Sequence, residues 1–140
     1  MVKHYNPNPA CKFFKSGKPK NWYINDSAVR AIAKVFDTTW ETAYDMLCKA
    51  GLALHDIPIS KQAIDFILAK NGFEFITLGK PKKGENRPSV KEFVENIEDT
   101  NPVYVLNLAD YFVTVINGEI YDVSEDCLKS SVYSYWIKKL

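Results

Sequence analysis

The sequence contains few of the residues that disulfide frameworks and metal centres require. Only three of its 140 residues are cysteine and two are histidine. Cys11, Cys48 and Cys127 are odd in number, widely spaced and without a C-x-x-C pair, which argues against a disulfide framework and against a zinc site. His4 and His55 are too few for a histidine-rich metal centre. We therefore expect a reduced protein with no metal and no cofactor.

Long hydrophobic runs and a charge excess are also missing. No apolar run approaches the ~20 residues needed to cross a bilayer, and residues 1–7 lack the hydrophobic stretch of a secretory signal. The net charge of +1 gives no global argument for nucleic acid or an anionic membrane as partner. These features predict a cytoplasmic protein without membrane contact.

The composition is nevertheless sufficient for a core, because 46% of the residues are apolar and 14% are aromatic. A chain of this length is enough for one domain and too short for two. We predict a single domain over residues 1–140, with an irregular leader (1–24), a helical part (25–72) and a mainly β part with one helix (73–140). Helices followed by strands indicate an α+β fold, with N-terminal helices packed on a C-terminal antiparallel sheet.

Capping residues and apolar spacing predict four helices. Ser, Thr, Asp and Asn accept hydrogen bonds from the free N–H groups of a first helical turn, and Glu three positions later completes a capping box. Gly51 is expected to end the second helix and Gly72 the third. The predicted starts are Asn25 or Asp26, Thr38 with Glu41, Ser60, and Ser89 with Glu92.

From residue 102 onwards β-rich runs replace the helical spacing. Asn117-Gly118 is a strong signal for a two-residue hairpin turn between two of them. The predicted strands cover residues 73–78, 103–108, 111–116, 119–123 and 132–137.

Several short motifs follow one another in a recognisable order. They are N-P-N-P at residues 6–9, N-D-S-A-V-R-A at 25–31, L-A-L-H-D-I-P at 52–58, Y-V-L at 104–106, A-D-Y-F-V-T-V at 109–115, G-E-I-Y-D at 118–122 and Y-S-Y-W at 133–136. This series resembles the small papain-like cysteine peptidases common in phages and prophages of low-GC Gram-positive bacteria. In that family the pattern is N-P-N-P, G-D-C-x-V-R-A, S-G-H-x-x-x-V-x-x-G-x-x-Y-D and a terminal Y-W. The resemblance covers most of the chain and implies a papain-like fold.

The resemblance also implies positions for a catalytic site. In such a site a thiol at a helix N-terminus is the nucleophile, a histidine takes its proton, and an acidic or amide residue orients the histidine. The matching positions here are Ser27 for the nucleophile, Tyr111 for the histidine and Asp122 for the orienting group. Asn21 matches the amide that assists the oxyanion. Because a protonated tyrosine is a poor base, we expect a degenerate site.

Three functions remain open from the sequence. The leading hypothesis is a non-catalytic module on a papain-like scaffold: a phage or prophage protein that binds and inhibits a host protein, for example a nuclease of a restriction or CRISPR-type defence. The alternative is a papain-like peptidase or acyltransferase that uses Ser27. The third is a nucleic-acid binder acting through basic segments. The candidate partner-binding residues are Lys80, Lys82, Lys83 and Arg87.

Overall fold

The computed structural model of the protein describes residues 1–9 and 25–139. In these two ranges the chain forms four α-helices, six β-strands and one 3₁₀ helix. The helices are α1 (Ser27–Val35), α2 (Trp40–Leu54), α3 (Lys61–Lys70) and α4 (Val90–Glu95), and the 3₁₀ helix covers Asp126–Lys129. The strands are β1 (Val2–His4), β2 (Glu74–Thr77), β3 (Val103–Leu108), β4 (Tyr111–Ile116), β5 (Glu119–Asp122) and β6 (Ser134–Lys138).

The six strands form one mixed sheet in the order β1-β5-β4-β3-β6-β2. All neighbours are antiparallel except β1, which runs parallel to β5 with Val2 beside Ile120. The predictions of a wholly antiparallel sheet and of an entirely irregular leader were therefore wrong. Three residues are too few to show a strand period, and β1 forms because the outer edge of β5 is available to pair with it. The rest of the predicted leader, residues 10–24, lies outside the described residues.

Two of the predicted helix caps are confirmed and two are corrected. Ser60 accepts a hydrogen bond from the N–H of Ala63. Ser89 accepts from the N–H of Glu92, and its hydroxyl donates to Glu92 Oε1. The cap of α2 is Thr39 rather than Thr38, since Thr39 Oγ1 accepts from the N–H of Thr42. Asp26 precedes α1 but its carboxylate makes no capping hydrogen bond.

Gly51 does not end α2 as predicted. The helix continues to Leu54, and His55 then turns the chain with a φ of 56°. A side chain at position 51 would begin 2.7 Å from the carbonyl oxygen of Asp56. Glycine therefore serves here to let the chain beyond the helix fold back against it.

The hairpin turns fix the register of the sheet. Asn117 and Gly118 have φ values of 54° and 76°, as the predicted two-residue turn with two left-handed residues requires. The turn between β3 and β4 pairs Leu108 with Tyr111. Side chains alternate between the two faces from these fixed points.

Each face of the sheet is covered by a separate apolar cluster. Helices α1, α2 and α3 pack on one face, where Ile32, Leu47 and Ile64 are fully buried against Phe112 and Trp136. The other face carries α4 and the 3₁₀ helix over a second cluster from β3, β4 and β5. Burial of each large apolar side chain contributes about 1.5–3 kcal/mol, so the two clusters hold the helical and β parts together. No helix in the described ranges has the length and apolar content needed to span a membrane.

Candidate functional site

Ser27 is the first residue of α1 and is buried against β4. Its Oγ accepts a hydrogen bond of 3.2 Å from the main-chain N–H of Phe112. Ser27 thus lies at a helix N-terminus, the place that the family resemblance implies for a nucleophile. Here its side chain fastens the start of the helix to the strand.

Tyr111 and Asp122 converge on the opposite face of the sheet. The Tyr111 hydroxyl donates a hydrogen bond of 2.7 Å to Asp122 Oδ1, and the main-chain N–H of Val123 donates to the same oxygen at 2.7 Å. The pairing of Thr114 with Tyr121 across β4 and β5 brings these two positions close together. The relation that the resemblance implies between the histidine position and the orienting acid is therefore present in space, with a phenol in place of an imidazole.

Arg30 joins this pair to the first helix. Its Nη2 donates to the Tyr111 hydroxyl at 2.5 Å and lies 3.3 Å from Asp122 Oδ1. Its Nη1 forms an ion pair with Asp26, four residues earlier. Arg30 is only 8% exposed, so its positive charge is balanced inside the protein by the carboxylates of Asp26 and Asp122 rather than by water.

Asp26 completes the network instead of capping the helix. Its second carboxylate oxygen accepts hydrogen bonds from Asn8 Nδ2 at 2.8 Å and from Trp40 Nε1 at 3.1 Å. Two buried carboxylates, Asp26 and Asp122, thus flank one guanidinium. We call the group formed by Asp26, Arg30, Tyr111 and Asp122 the polar network.

Asp26 and Arg30, and Asn8 which donates to Asp26, were not predicted as site residues. A signal was present, since all three lie inside the motifs that carry the family resemblance. The i,i+4 spacing of Asp26 and Arg30 is also typical of an ion pair on a helix.

Two groups at the network, the Tyr111 hydroxyl and the Cys127 thiol, are held in their neutral forms. Burial, and then the hydrogen bond to Asp122, raise the pKa of Tyr111 well above its ordinary value, and the charge of Arg30 opposes this only in part. Burial, and then the hydrogen bond to Asp122, raise the pKa of the nearby Cys127 thiol to about 12. Neither group supplies a base or a nucleophile near neutral pH.

Ser27 is not part of this network. Within the described ranges, no hydrogen bond joins its side chain to Tyr111 or Asp122, whose side chains lie on the other face of the sheet. Asn21, the fourth predicted site residue, lies outside the described residues. The structure therefore joins the side chains of two of the predicted positions, Tyr111 and Asp122, while the Ser27 hydroxyl bonds to the main chain of Phe112, the residue after Tyr111.

Ser27 instead lines a cleft of about 440 Å³ between the helices and the β3–β4 turn. Its wall combines apolar side chains with amides, hydroxyls and one charge of each sign. It is lined by Asn25, Ser27, Ala28, Ile57, Ile59, Ser60, Lys61, Asn107, Leu108, Asp110 and Phe112. We call this space the cleft.

The four predicted partner-binding residues lie together elsewhere, on the loop after β2. Lys80, Lys82 and Lys83 are exposed, while Arg87 is half-buried with its guanidinium 4.4 Å from the centre of the Tyr133 ring. Arg87 Nε is buried without a hydrogen-bond partner in the part of the chain that the structure describes. We call residues 79–88 the basic loop.

Among residues 1–9 and 25–139, no cluster of three or more His, Cys, Asp or Glu side chains is arranged to hold a metal ion. A scan against protein-family models found no match for this chain. Searches of curated proteins and of solved structures found no significant match either.

Proposed function

We propose that this chain is a non-catalytic protein-binding module on a papain-like scaffold, encoded by a phage or prophage and directed at a host protein that it inhibits. The order and spacing of the motifs support the scaffold and the source. An anti-defence target, such as a restriction or CRISPR-type nuclease, follows from the habits of such genomes rather than from any residue of this chain.

The hydrogen bonds of Ser27 and Tyr111 support the absence of catalysis in this proposal. A serine hydroxyl becomes a nucleophile only when a neighbouring base takes its proton. The Ser27 hydroxyl accepts a hydrogen bond from the main-chain N–H of Phe112. The Tyr111 hydroxyl is hydrogen-bonded to Asp122 and Arg30 and not to Ser27. Removing the partners of a unit that acts together eliminates most of its catalytic contribution.

The cleft supports binding as the remaining role. Its volume of about 440 Å³ lies within the ~300–1,000 Å³ usual for ligand sites. Asn25 and Asn107 offer amide groups that pair with a main chain, and Ile57 on the rim is 61% exposed. This combination suits an extended segment of a partner that inserts an apolar side chain.

Affinity capture from bacterial lysate, followed by mass spectrometry, tests the proposal. We expect the tagged protein to retain one host protein in near-equal amount. Ile57→Asp in the cleft should abolish the capture. Leu52→Asp, a control at a residue that is 78% exposed on α2, should leave it intact. Recovery of only abundant background proteins, or equal loss with both variants, would contradict the proposal.

A serine-directed fluorophosphonate probe separates this function from a hydrolase. We expect no labelling of Ser27 in the folded protein, because none of the hydrogen bonds within residues 1–9 and 25–139 joins its hydroxyl to a base. Stoichiometric labelling that disappears in Ser27→Ala would establish the enzyme instead.

A further inference from the structure

We propose that the outer edge of β2 binds an extended acidic segment of another protein, which adds to the sheet as a seventh strand. This surface is separate from the cleft and does not depend on it. The inference rests on the proposed function only in taking a protein as the partner.

The main chain of β2 is arranged for such pairing. Among residues 1–9 and 25–139 it is the last strand of the sheet, and β6 is the one strand that pairs with it. The N–H of Leu78 donates to the carbonyl of Tyr133, and hydrogen-bonded positions alternate along an antiparallel pair. Glu74 and Ile76 therefore bond to β6, while Phe75 and Thr77 direct their main-chain N–H and C=O groups away from the sheet.

The register of the hairpins leads to the same assignment. Leu108 and Tyr111 close a two-residue turn and must form a hydrogen-bonded pair. Alternation across β3 then directs Asn107 to β6, through its partner Ser134. The next residue of β6, Tyr135, consequently bonds outward to β2, where Ile76 is its partner.

The side chains of this edge lack the usual protection against pairing. Natural edges are commonly blocked by charged side chains, especially lysine, by proline or by a bulge. Glu74–Thr77 contains neither lysine nor proline, and its single charge, Glu74, lies at the start of the strand, at the end opposite to the basic loop. Phe75 is 43% exposed and Leu78 is 38% exposed. Phe75 rests on Trp136 with their ring centres 5.2 Å apart, so it presents a fixed apolar surface to an added strand.

The charge of the partner follows from the basic loop. The basic loop contains four basic residues and one acidic residue, Glu85. The guanidinium of Arg87 lies over the ring of Tyr133. The carbonyl oxygen of Tyr133 accepts a hydrogen bond from the N–H of Leu78, the residue after β2. A strand added along β2 therefore continues towards the exposed cations Lys80, Lys82 and Lys83. Carboxylates are the complementary groups.

A second copy of this chain fits the edge less well. Antiparallel self-pairing would bring the basic loop of one copy towards the start of β2 in the other. Lys70 lies close before that start, and Lys138 lies beside Gly72. Glu74 is the one acidic residue at that start, so the basic loop of one copy would meet two cations and a single carboxylate of the other. Nucleic acid matches the charge of the loop but not the alternating N–H and C=O groups of the strand.

The probe for this proposal is a short fluorescent peptide of alternating Glu and Val, titrated by anisotropy. Thr77→Pro removes an outward N–H and should weaken binding about three- to tenfold. Thr77→Ala removes the hydroxyl, and with it the exposed hydrogen bond from the N–H of Gly79, but keeps the outward N–H; it is the matched control and should bind like the wild type. Methylating alternate amide nitrogens of the peptide should weaken binding similarly, which tests the main-chain contact without changing the protein.

The charge contribution has its own pair of variants. Lys82→Glu with Lys83→Glu should weaken binding of the peptide about tenfold or more and reduce its dependence on salt. Lys3→Glu with Lys49→Glu makes the same charge change on β1, at the opposite edge of the sheet, and on α2, and should have little effect.

Amide hydrogen exchange locates the bound peptide. We expect exchange at Phe75 and Thr77 to slow on binding while Ser27 and Phe112 are unchanged. Slowed exchange at Ser27 and Asn107 instead would overturn the edge proposal and favour the cleft. Concentration-dependent dimerisation that protects Phe75 without peptide would also overturn it. So would tighter binding of a single-stranded oligonucleotide that is insensitive to Thr77→Pro.

Discussion

Replacing Arg30 by methionine removes the single cation from a site that contains two buried carboxylates. Arg30, Asp26 and Asp122 are 8%, 4% and 3% exposed, so water does not restore what the guanidinium supplied. Breaking a buried ion pair by removing one partner costs about 3–5 kcal/mol. Methionine keeps most of the side-chain volume, so the loss reports charge and hydrogen bonding rather than a cavity.

The expected magnitude is large enough for a routine measurement. An unfolding entropy of about 2.1 cal/mol/K per residue means that each kcal/mol lowers the melting temperature of a chain of this length by ~3–4 °C. Arg30→Met should therefore melt about 10–17 °C below the wild type. Urea unfolding followed by tryptophan fluorescence gives the same loss as a free energy, with an unchanged slope if only stability is altered.

A double-mutant cycle with Asp122→Asn tests the cause. The asparagine oxygen still accepts from Tyr111 and Val123 but no longer carries the charge that faces Arg30. The double variant should lose about 1–3 kcal/mol less than the sum of the single losses. An exposed pair provides the control: Lys49→Met disrupts the surface ion pair with Asp45 and should leave the melting temperature unchanged within error. A loss below about 1 kcal/mol for Arg30→Met, or additive losses in the cycle, would refute this account of the network.

Three further predictions concern single groups. Because folding raises the pKa of Tyr111, its contribution to the free energy of unfolding is present below the ordinary tyrosine pKa of about 10 and is lost as pH rises above it. Urea unfolding from pH 8 to 10.5 should therefore show a smaller decline in the free energy of unfolding for Tyr111→Phe than for the wild type. Equal declines would contradict this. With its pKa near 12, buried Cys127 should react with iodoacetamide at pH 8 at least ~10-fold more slowly than the half-buried Cys48, as judged by peptide mapping; equal rates would argue against burial. Replacing glycine by alanine ordinarily stabilises a helix by about 1 kcal/mol. In Gly51→Ala the new methyl group would lie 2.7 Å from the Asp56 carbonyl oxygen, so the free energy of unfolding measured in urea should instead fall by ~1–3 kcal/mol. A rise in that free energy would show that the chain beyond α2 moves aside.

The features that the sequence predicted correctly act over a few residues. Ser60 and Ser89 cap helices through N–H groups three positions away, and Asn117-Gly118 forms its turn because both residues accept a left-handed backbone. Such interactions depend on neighbours in the chain, so residue type and spacing are sufficient to predict them.

The features that the sequence did not predict depend on distant partners. The residues of β1 carry no period of their own and become a strand only because β5 offers a free edge. Aspartate is a common helix cap, yet the carboxylate of Asp26 pairs with the buried guanidinium of Arg30 instead of accepting from the first N–H groups of α1. The positions that the resemblance implies for Tyr111 and Asp122 share a hydrogen bond, but the Ser27 hydroxyl accepts from the main chain of Phe112, a long-range contact that no spacing in the sequence indicates.

The pairing of β1 with β5 ties the order of synthesis to the order of folding. His4 Nδ1 contacts the carbonyl of Val123 across 119 positions of sequence, and Arg30 reaches Asp122 across 92. Contacts between such distant positions form late and slow the folding of a chain. On the ribosome, the first helices therefore emerge long before the acid that neutralises Arg30 has been translated. We expect the nascent helical layer to remain open to chaperones and proteases until Asp122 has left the exit tunnel, and then to close in a single late step.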